Sequence, residues 1–331
     1  MTAGLHRKLH IYPFATIALL LAGITLAFTV EAVGAPAPTD TCLEIADDAE
    51  RLRCYDELAS PATGEPKPGL SIGFLARRIE EDADRDTFTL TARKPNYIMH
   101  SYLSDPNQEP YEFTDESDQL DDNEIKFQLS FQTKLADDMF GQQADLWFSY
   151  TQVAYWQLYN DDISSPFRET NYEPEVYAAF LTNYKFLGLT GRSINFGINH
   201  QSNGRSEPLS RSWNRVFAEF IFVRDDFGLS FKPWHRIEES SSNDDNPDIE
   251  DYLGNYEIRA FQRWNGHLFS AMVRNIFDSE NRYNSELQWS FPIKRRLRGL
   301  VQWYNGYGEN LIDHDHKNNR IGIGILMTDW L

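Results

Sequence analysis

From about Thr87 to its end the chain alternates apolar and polar residues with period two, in segments broken by turn-rich or acidic stretches. Ile125, Phe127, Leu129 and Phe131 share one face of such a segment, and Lys126, Gln128, Ser130 and Gln132 share the other. Ile194, Phe196 and Ile198 stand likewise against Asn195, Gly197 and Asn199, and Ile321, Ile323, Ile325 and Met327 against Gly322, Gly324 and Thr328. About twelve such segments are centred near residues 95, 128, 150, 176, 196, 218, 231, 257, 271, 287, 302 and 325. Successive side chains of a strand point to opposite faces, so each segment has one oily face and one wet face. An even number of antiparallel strands of this kind predicts an all-β fold, a twelve-stranded transmembrane β-barrel with its apolar side outward. Closure leaves no unpaired strand edge in lipid. A soluble barrel or sandwich would bury the apolar face instead.

The N-terminal part has a different pattern. A single apolar run, Ile17 to Val30, follows a short basic stretch (His6, Arg7, Lys8) and precedes the small residues Ala32, Gly34, Ala35 and Ala37. It is shorter than the roughly 20 residues that span a bilayer as a helix, and its flanks read as a secretory signal occupying residues 1–34. An uncleaved anchor is the alternative. Residues 35–69 hold an acidic helical pattern and then the Pro-rich stretch SPATGEPKPG, which predicts a short periplasmic extension and linker. The barrel domain then occupies residues 70–331. Cys42 and Cys54 are the only cysteines, and in an oxidising periplasm they are expected to pair. A continuous helix would hold them about 18 Å apart, so pairing needs a turn between them.

Composition narrows the class. Hydrophobic residues make up 41%, too few for a helical membrane protein, whereas aromatics reach 14%, which suits rings lining a membrane interface. The formal charge of −19 becomes −20 once Arg7, Lys8 and Glu31 leave with the signal. Nucleic acid is therefore not an expected partner. Acidic outer loops can collect divalent cations, although solubility alone accounts for the charge equally well.

With a periplasmic N-terminus, odd-numbered strands run outward. The loop holding Ser164, the loop from Asn203 to Trp213 and the acidic loop from Glu238 to Asp251 then share one outer rim. Parity puts His200 and Ser202 on the lipid face with Ile194, Phe196 and Ile198. Asn214 joins Val216, Ala218, Phe220 and Phe222 on the lipid face of the next segment. Three polar groups facing hydrocarbon would each cost a few kcal/mol uncompensated. A serine hydroxyl, a histidine base and a third group orienting the imidazole are what nucleophilic acyl transfer requires. An Asn can orient the ring without placing a charge in lipid. No G-x-S-x-G elbow is present. By the same parity Gln152 lies outward among Leu146, Phe148, Tyr150, Ala154 and Trp156, where a lone amide is expensive unless it sits at the interface or meets a second copy of itself.

The string GINHQSNGRSEPLSRSWNR, Gly197 to Arg215, closely resembles the signature of bacterial outer-membrane phospholipase A. SSPFRETNYEP (Ser164 to Pro174) and DDNPDI (Asp244 to Ile249) are similar to further segments of that family. The resemblance runs from about Thr87 to the end. It implies a homodimeric barrel in the outer membrane that hydrolyses acyl esters of phospholipids and lysophospholipids (A1 and A2 activity) at the outer leaflet when calcium is bound. By motif match Ser202 is the nucleophile, His200 the general base and acid, and Asn214 the residue that orients it. The backbone amide of Gly204 would donate to the oxyanion. Calcium would be held by the Ser210 hydroxyl, the Arg205 carbonyl and the Ser164 carbonyl of the second subunit, with Gln152 at the dimer interface.

Glu207 and Asp245 fall on the same rim as a candidate second, weaker calcium site, with solvated loop acids as the alternative. The cluster His314, Asp315, His316 could bind metal, but in a predicted outer loop it reads as solvated. Where acidic residues are common beside the catalytic histidine, this chain has Gln201, and it ends Asp-Trp-Leu rather than in Phe. Two rival functions remain on this scaffold: a catalytically silent pore or adhesin, and a lipopolysaccharide deacylase. A pore needs inward groups, and the outward parity of His200 and Ser202 weighs against it.

Overall fold

The computed structural model describes residues 47, 51, 73–111, 119–139, 144–240, 242, 244–294 and 297–330. The signal, the Cys42–Cys54 pairing and all of the extension except Asp47 and Arg51 lie outside the described residues. The chain divides into two compact units, Met1–Pro68 and Gly69–Leu331. Of the first, only Asp47 and Arg51 are described.

The second unit begins with helix α1 (Phe74–Ala83) and a two-residue strand β1 (Leu90–Thr91). Twelve long strands follow: β2 (Asn96–Leu103), β3 (Asn123–Asp138), β4 (Ala144–Trp156), β5 (Phe167–Phe186), β6 (Leu189–Ser202), β7 (Ser212–Arg224), β8 (Phe227–Ile237), β9 (Tyr256–Trp264), β10 (His267–Arg274), β11 (Asn284–Lys294), β12 (Leu297–Gly306) and β13 (Asn318–Thr328). Each pairs antiparallel with the next, and β13 pairs with β2, so β2 to β13 close into a barrel. β1 adds to the far end of β3. A short helix α2 (Ile249–Leu253) lies in the β8–β9 loop. Among the described residues no helix is long and apolar enough to cross a membrane.

The predicted inversion of faces is present. On β6, Phe196 and Ile198 are 49% and 57% exposed, whereas Asn195 and Asn199 are 3% exposed each. Likewise Leu129 and Phe131 stand outward, and Lys126, Ser130 and Gln132 are buried in the lumen. A polar interior is tolerable only where its charges are paired. Arg168 donates to Glu124 at 2.5 Å and to Asp313 at 2.6 Å, and Arg320 bridges Glu124 and Glu309 at 2.8 Å each. Lys126 completes this group on Glu309 at 3.0 Å. Deeper down, Glu257 takes Arg259 and Arg274, and Arg93 reaches Glu175 and Glu219.

Parts of the chain pack against the barrel at both ends. At the short-turn end α1 lies against the lumen: Lys134 Nζ donates to the Ala83 carbonyl at 2.6 Å and Gln132 Nε2 to Asp82 at 3.1 Å. Gly73 precedes it because a Cβ there would meet the Asp225 carbonyl at 1.6 Å. At the long-loop end, Ile249 and Leu253 of α2 and Leu311 of the β12–β13 loop bury an apolar cluster against Trp213, Phe217 and Trp234. The loops 157–166, 203–211 and 238–255 share this rim, as the strand directions require.

Candidate active site

The β6–β7 register sets His200 directly opposite Asn214, and Ser202 opposite Ser212. Both strands present these residues on the lipid face, because their neighbours Asn199, Trp213 and Arg215 are buried in the lumen. His200 Nδ1 meets Asn214 Oδ1 at 2.9 Å. An amide oxygen only accepts, so this contact puts the ring proton on Nδ1 and leaves the lone pair on Nε2. Ser202 follows two residues on, on the same side. Gln201, between them, points inward as its parity requires and accepts from Trp213 Nε1 at 3.0 Å.

The amide of Asn214 has a second partner that the sequence did not single out. Its Nδ2 donates to Glu239 Oε1 at 2.9 Å. The register pairs Asn214 with Ile237, so Glu239 continues the outward row of β8 two residues further on. Parity carried past the strand end would have found it. The acidic stretch from Glu238 instead reads as one solvated loop.

Immediately after β6 the chain turns at Asn203 and Gly204. Gly204 has φ 67°, a conformation that favours glycine, and an added Cβ would stand 3.2 Å from the Tyr172 ring. The buried Asn203 side chain accepts from the amides of Arg205 at 3.2 Å and Arg211 at 3.0 Å, which fixes the loop between them. Within that loop Ser210 Oγ donates to Asp245 Oδ2 at 2.5 Å. Glu207 is held above the usual carboxylate range by a side-chain hydrogen bond with Asp245 and by that neighbour's charge. The structure therefore gathers Glu207, Ser210 and Asp245 into one oxygen-rich cluster, where the sequence placed Asp245 and Glu207 in a separate site. Every donor this cluster offers is oxygen, the preference of a hard cation.

Ser164 stands apart on the 157–166 loop, exposed and with φ 64°. The link to that side is Arg205, whose guanidinium donates to the Phe167 carbonyl at 3.1 Å. Gln152 lies on the outward face of β4, and one row of register partners runs Leu129, Gln152, Tyr172, Ser202, Ser212 across five strands. The position read as an interface residue is thus two strands from Ser202 on a shared row, with Tyr172 between. His314, read as solvated, is instead only 4% exposed.

Three comparisons bear on this geometry. The family model described as Phospholipase A1 matches residues 75–327, reaching back to include α1. Phospholipase A1 of Escherichia coli (strain K12) is 37% identical over 285 residues, covering 84% of this chain and 94% of the relative. The protein of that name from Klebsiella pneumoniae is 37% identical over 273 residues, 82% and 93% of the two chains. Among solved structures, the Salmonella typhi outer membrane phospholipase dimer with bound calcium superimposes with a TM-score of 0.72 at 36% identity, over 76% of this chain and 98% of that one. Outer membrane phospholipase A from Escherichia coli gives 0.69 at 38% identity, over 74% and 100%. A further Escherichia coli structure, an active-site mutant with asparagine replaced by alanine, gives 0.72.

Proposed function

The chain belongs to the phospholipase A1 family, and from that premise we propose that this outer-membrane β-barrel hydrolyses phospholipid acyl esters through Ser202, His200 and Asn214, as a calcium-dependent homodimer. The observation that carries the reading is the 2.9 Å contact of His200 Nδ1 with Asn214 Oδ1 on the lipid-facing wall, with Ser202 two residues along. The active-site status of an asparagine in the Escherichia coli relative supports the third member. The same reading assigns residues 1–34 to a signal, 35–69 to a periplasmic extension and 70–331 to the enzyme.

Each step uses groups of this chain. His200 Nε2 removes the Ser202 proton as Oγ attacks the ester carbonyl carbon, and the carbonyl electrons move onto oxygen. The Gly204 amide donates to that oxygen. Collapse expels the lysolipid alcohol, which takes the proton from His200, and leaves an acyl group on Ser202. Water, deprotonated by the same nitrogen, then releases the fatty acid. Asn214 supplies orientation without adding a charge beside hydrocarbon.

Calcium fits the oxygen donors of Ser210 and the Arg205 carbonyl on this chain, with the partner's Ser164 completing the set and Glu207 and Asp245 holding a second or shared ion. When bound, it supplies positive charge near the developing oxyanion. A site completed across subunits makes dimerisation a condition of activity, and the outward Gln152 gives the interface a polar pair to satisfy.

Purified protein with dispersed phosphatidylcholine and calcium should release fatty acid. Excess chelator should lower the rate on the order of 10²–10³-fold, as loss of an oxyanion stabiliser does, and added calcium should restore it. Crosslinked dimer should rise and fall with activity across the titration. Full activity in chelator would overturn the calcium assignment. Hydrolysis of lipopolysaccharide in preference to phospholipid would favour the deacylase reading.

Glu239 is a positioning residue in this scheme. A carboxylate accepts only, so it selects the amide rotamer in which Nδ2 faces Glu239 and Oδ1 faces His200. Losing one charge-assisted hydrogen bond costs about 1.5 kcal/mol, so Glu239→Ala should lower kcat about tenfold at unchanged KM. Glu239→Gln keeps an acceptor and should recover most of it. A KM effect without a kcat effect would count against the role.

A further inference from the structure

Across the outer mouth, Asp248 from the β8–β9 loop meets His314 and Asp315 from the β12–β13 loop. One imidazole nitrogen and two carboxylate oxygens lie within 4.8 Å of one another. The imidazole is held as a ligand would be. His314 is buried, its Nδ1 lies 3.1 Å from the Leu311 carbonyl, and the Tyr252 ring stands edge-on to it at 5.9 Å. A carbonyl only accepts, so Nδ1 carries a proton and, in the neutral ring, Nε2 presents its lone pair. That lone pair faces Asp248 Oδ1 at 3.0 Å. Two electron-rich atoms at this distance need a proton or a cation between them. The separation is a few tenths of an ångström short of the ~3.4 Å between two tetrahedral ligands each ~2.1 Å from one ion, so a metal would spread them slightly.

We propose that Asp248, His314 and Asp315 form a binding site for a divalent transition metal, with zinc the expected occupant. One nitrogen and two oxygens suit a borderline cation; calcium, which takes oxygen ligands, is a poor match for a buried imidazole. A backbone carbonyl holding the far nitrogen is the outer-shell arrangement that fixes a metal-binding tautomer. Asp248 and Asp315 are solvent-exposed, so the ion has an entry path and water can complete its shell.

The site joins two loops that are far apart in sequence. The Asp248 loop also carries Asp245, which takes the Ser210 hydroxyl, and Asn246, whose Oδ1 accepts from the Ser212 amide at 3.0 Å. A metal there staples the loop behind the proposed calcium ligands. Metal binding itself stands independently of the hydrolytic reading.

The test is calorimetric titration of the purified full-length protein with zinc chloride in detergent and saturating calcium, with cobalt(II) absorption as a second readout. Wild type should take up one zinc per chain, and its Tm should rise with zinc. His314→Gln should lose the binding event, and Asp315→Asn should weaken it about tenfold or more, the effect of about 1.4 kcal/mol. Asp315 is exposed, so that variant decides the matter if His314→Gln fails to fold. Absence of saturable zinc binding in wild type would overturn the proposal, leaving a proton between His314 and Asp248. So would wild-type affinity in Asp315→Asn, or zinc binding that excess calcium abolishes.

Discussion

Ser202→Ala leaves a folded barrel that no longer releases fatty acid. In the proposed mechanism His200 then has no hydroxyl to activate, and the rate should fall on the order of 10⁴-fold or more, to whatever binding and oxyanion stabilisation alone supply. The protein should not notice structurally. Ser202 is half-buried at the end of β6, facing outward, and removing one oxygen from such a position changes stability by about 0.5 kcal/mol or less. The measurement is fatty-acid release from dispersed phospholipid at saturating calcium, with the unfolding midpoint of the same preparation as control. Retention of wild-type turnover would remove Ser202 from the mechanism.

The second large effect is on stability. Arg168 is fully buried in the lumen, with Glu124 and Asp313 as its partners. Truncation to Ala strands charge where water cannot reach it freely, and breaking a buried pair costs about 3–5 kcal/mol. Glu124 keeps Arg320 and Gln157, so the loss falls mainly on Asp313. Combining Arg168→Met with Asp313→Asn removes both charges and should recover part of the deficit. Denaturant unfolding in lipid vesicles, followed by tryptophan fluorescence, reads both variants. An Arg168→Ala midpoint equal to wild type would mean that the ion pairs fill space without holding the barrel together.

What the sequence made legible follows from what alternation encodes. Period two says which face a residue occupies, and it placed His200, Ser202, Asn214 and Gln152 outward and Gln201 inward as the structure has them. Eleven of the twelve segment centres fall inside strands, and the other, near residue 95, lies one residue before β2. Alternation says nothing about which residues meet across the lumen. Arg168 and Asp313 are 145 positions apart, and no local pattern links them. Helix α1 escaped because its helical period lies just after a Pro-rich linker and covers ten residues only. The burial of His314 was not legible, because a loop of His and Asp looks solvated until Tyr252 and Leu311 are folded over it. Glu239 was missed because it lies past the end of β8, within an acidic stretch that reads as loop.

The outward row that carries Ser202 also fixes the dimensionality of the reaction. In the proposed mechanism a nucleophile on the outer wall never draws its substrate into water, and lipid arrives by lateral diffusion within the leaflet. Its effective concentration is therefore a mole fraction of the membrane, and dilution by detergent or inert lipid should slow the enzyme at constant bulk lipid. Subunit encounter obeys the same two-dimensional law. Turnover in the cell should then be set by how crowded the surface is, and by which lipids have reached it.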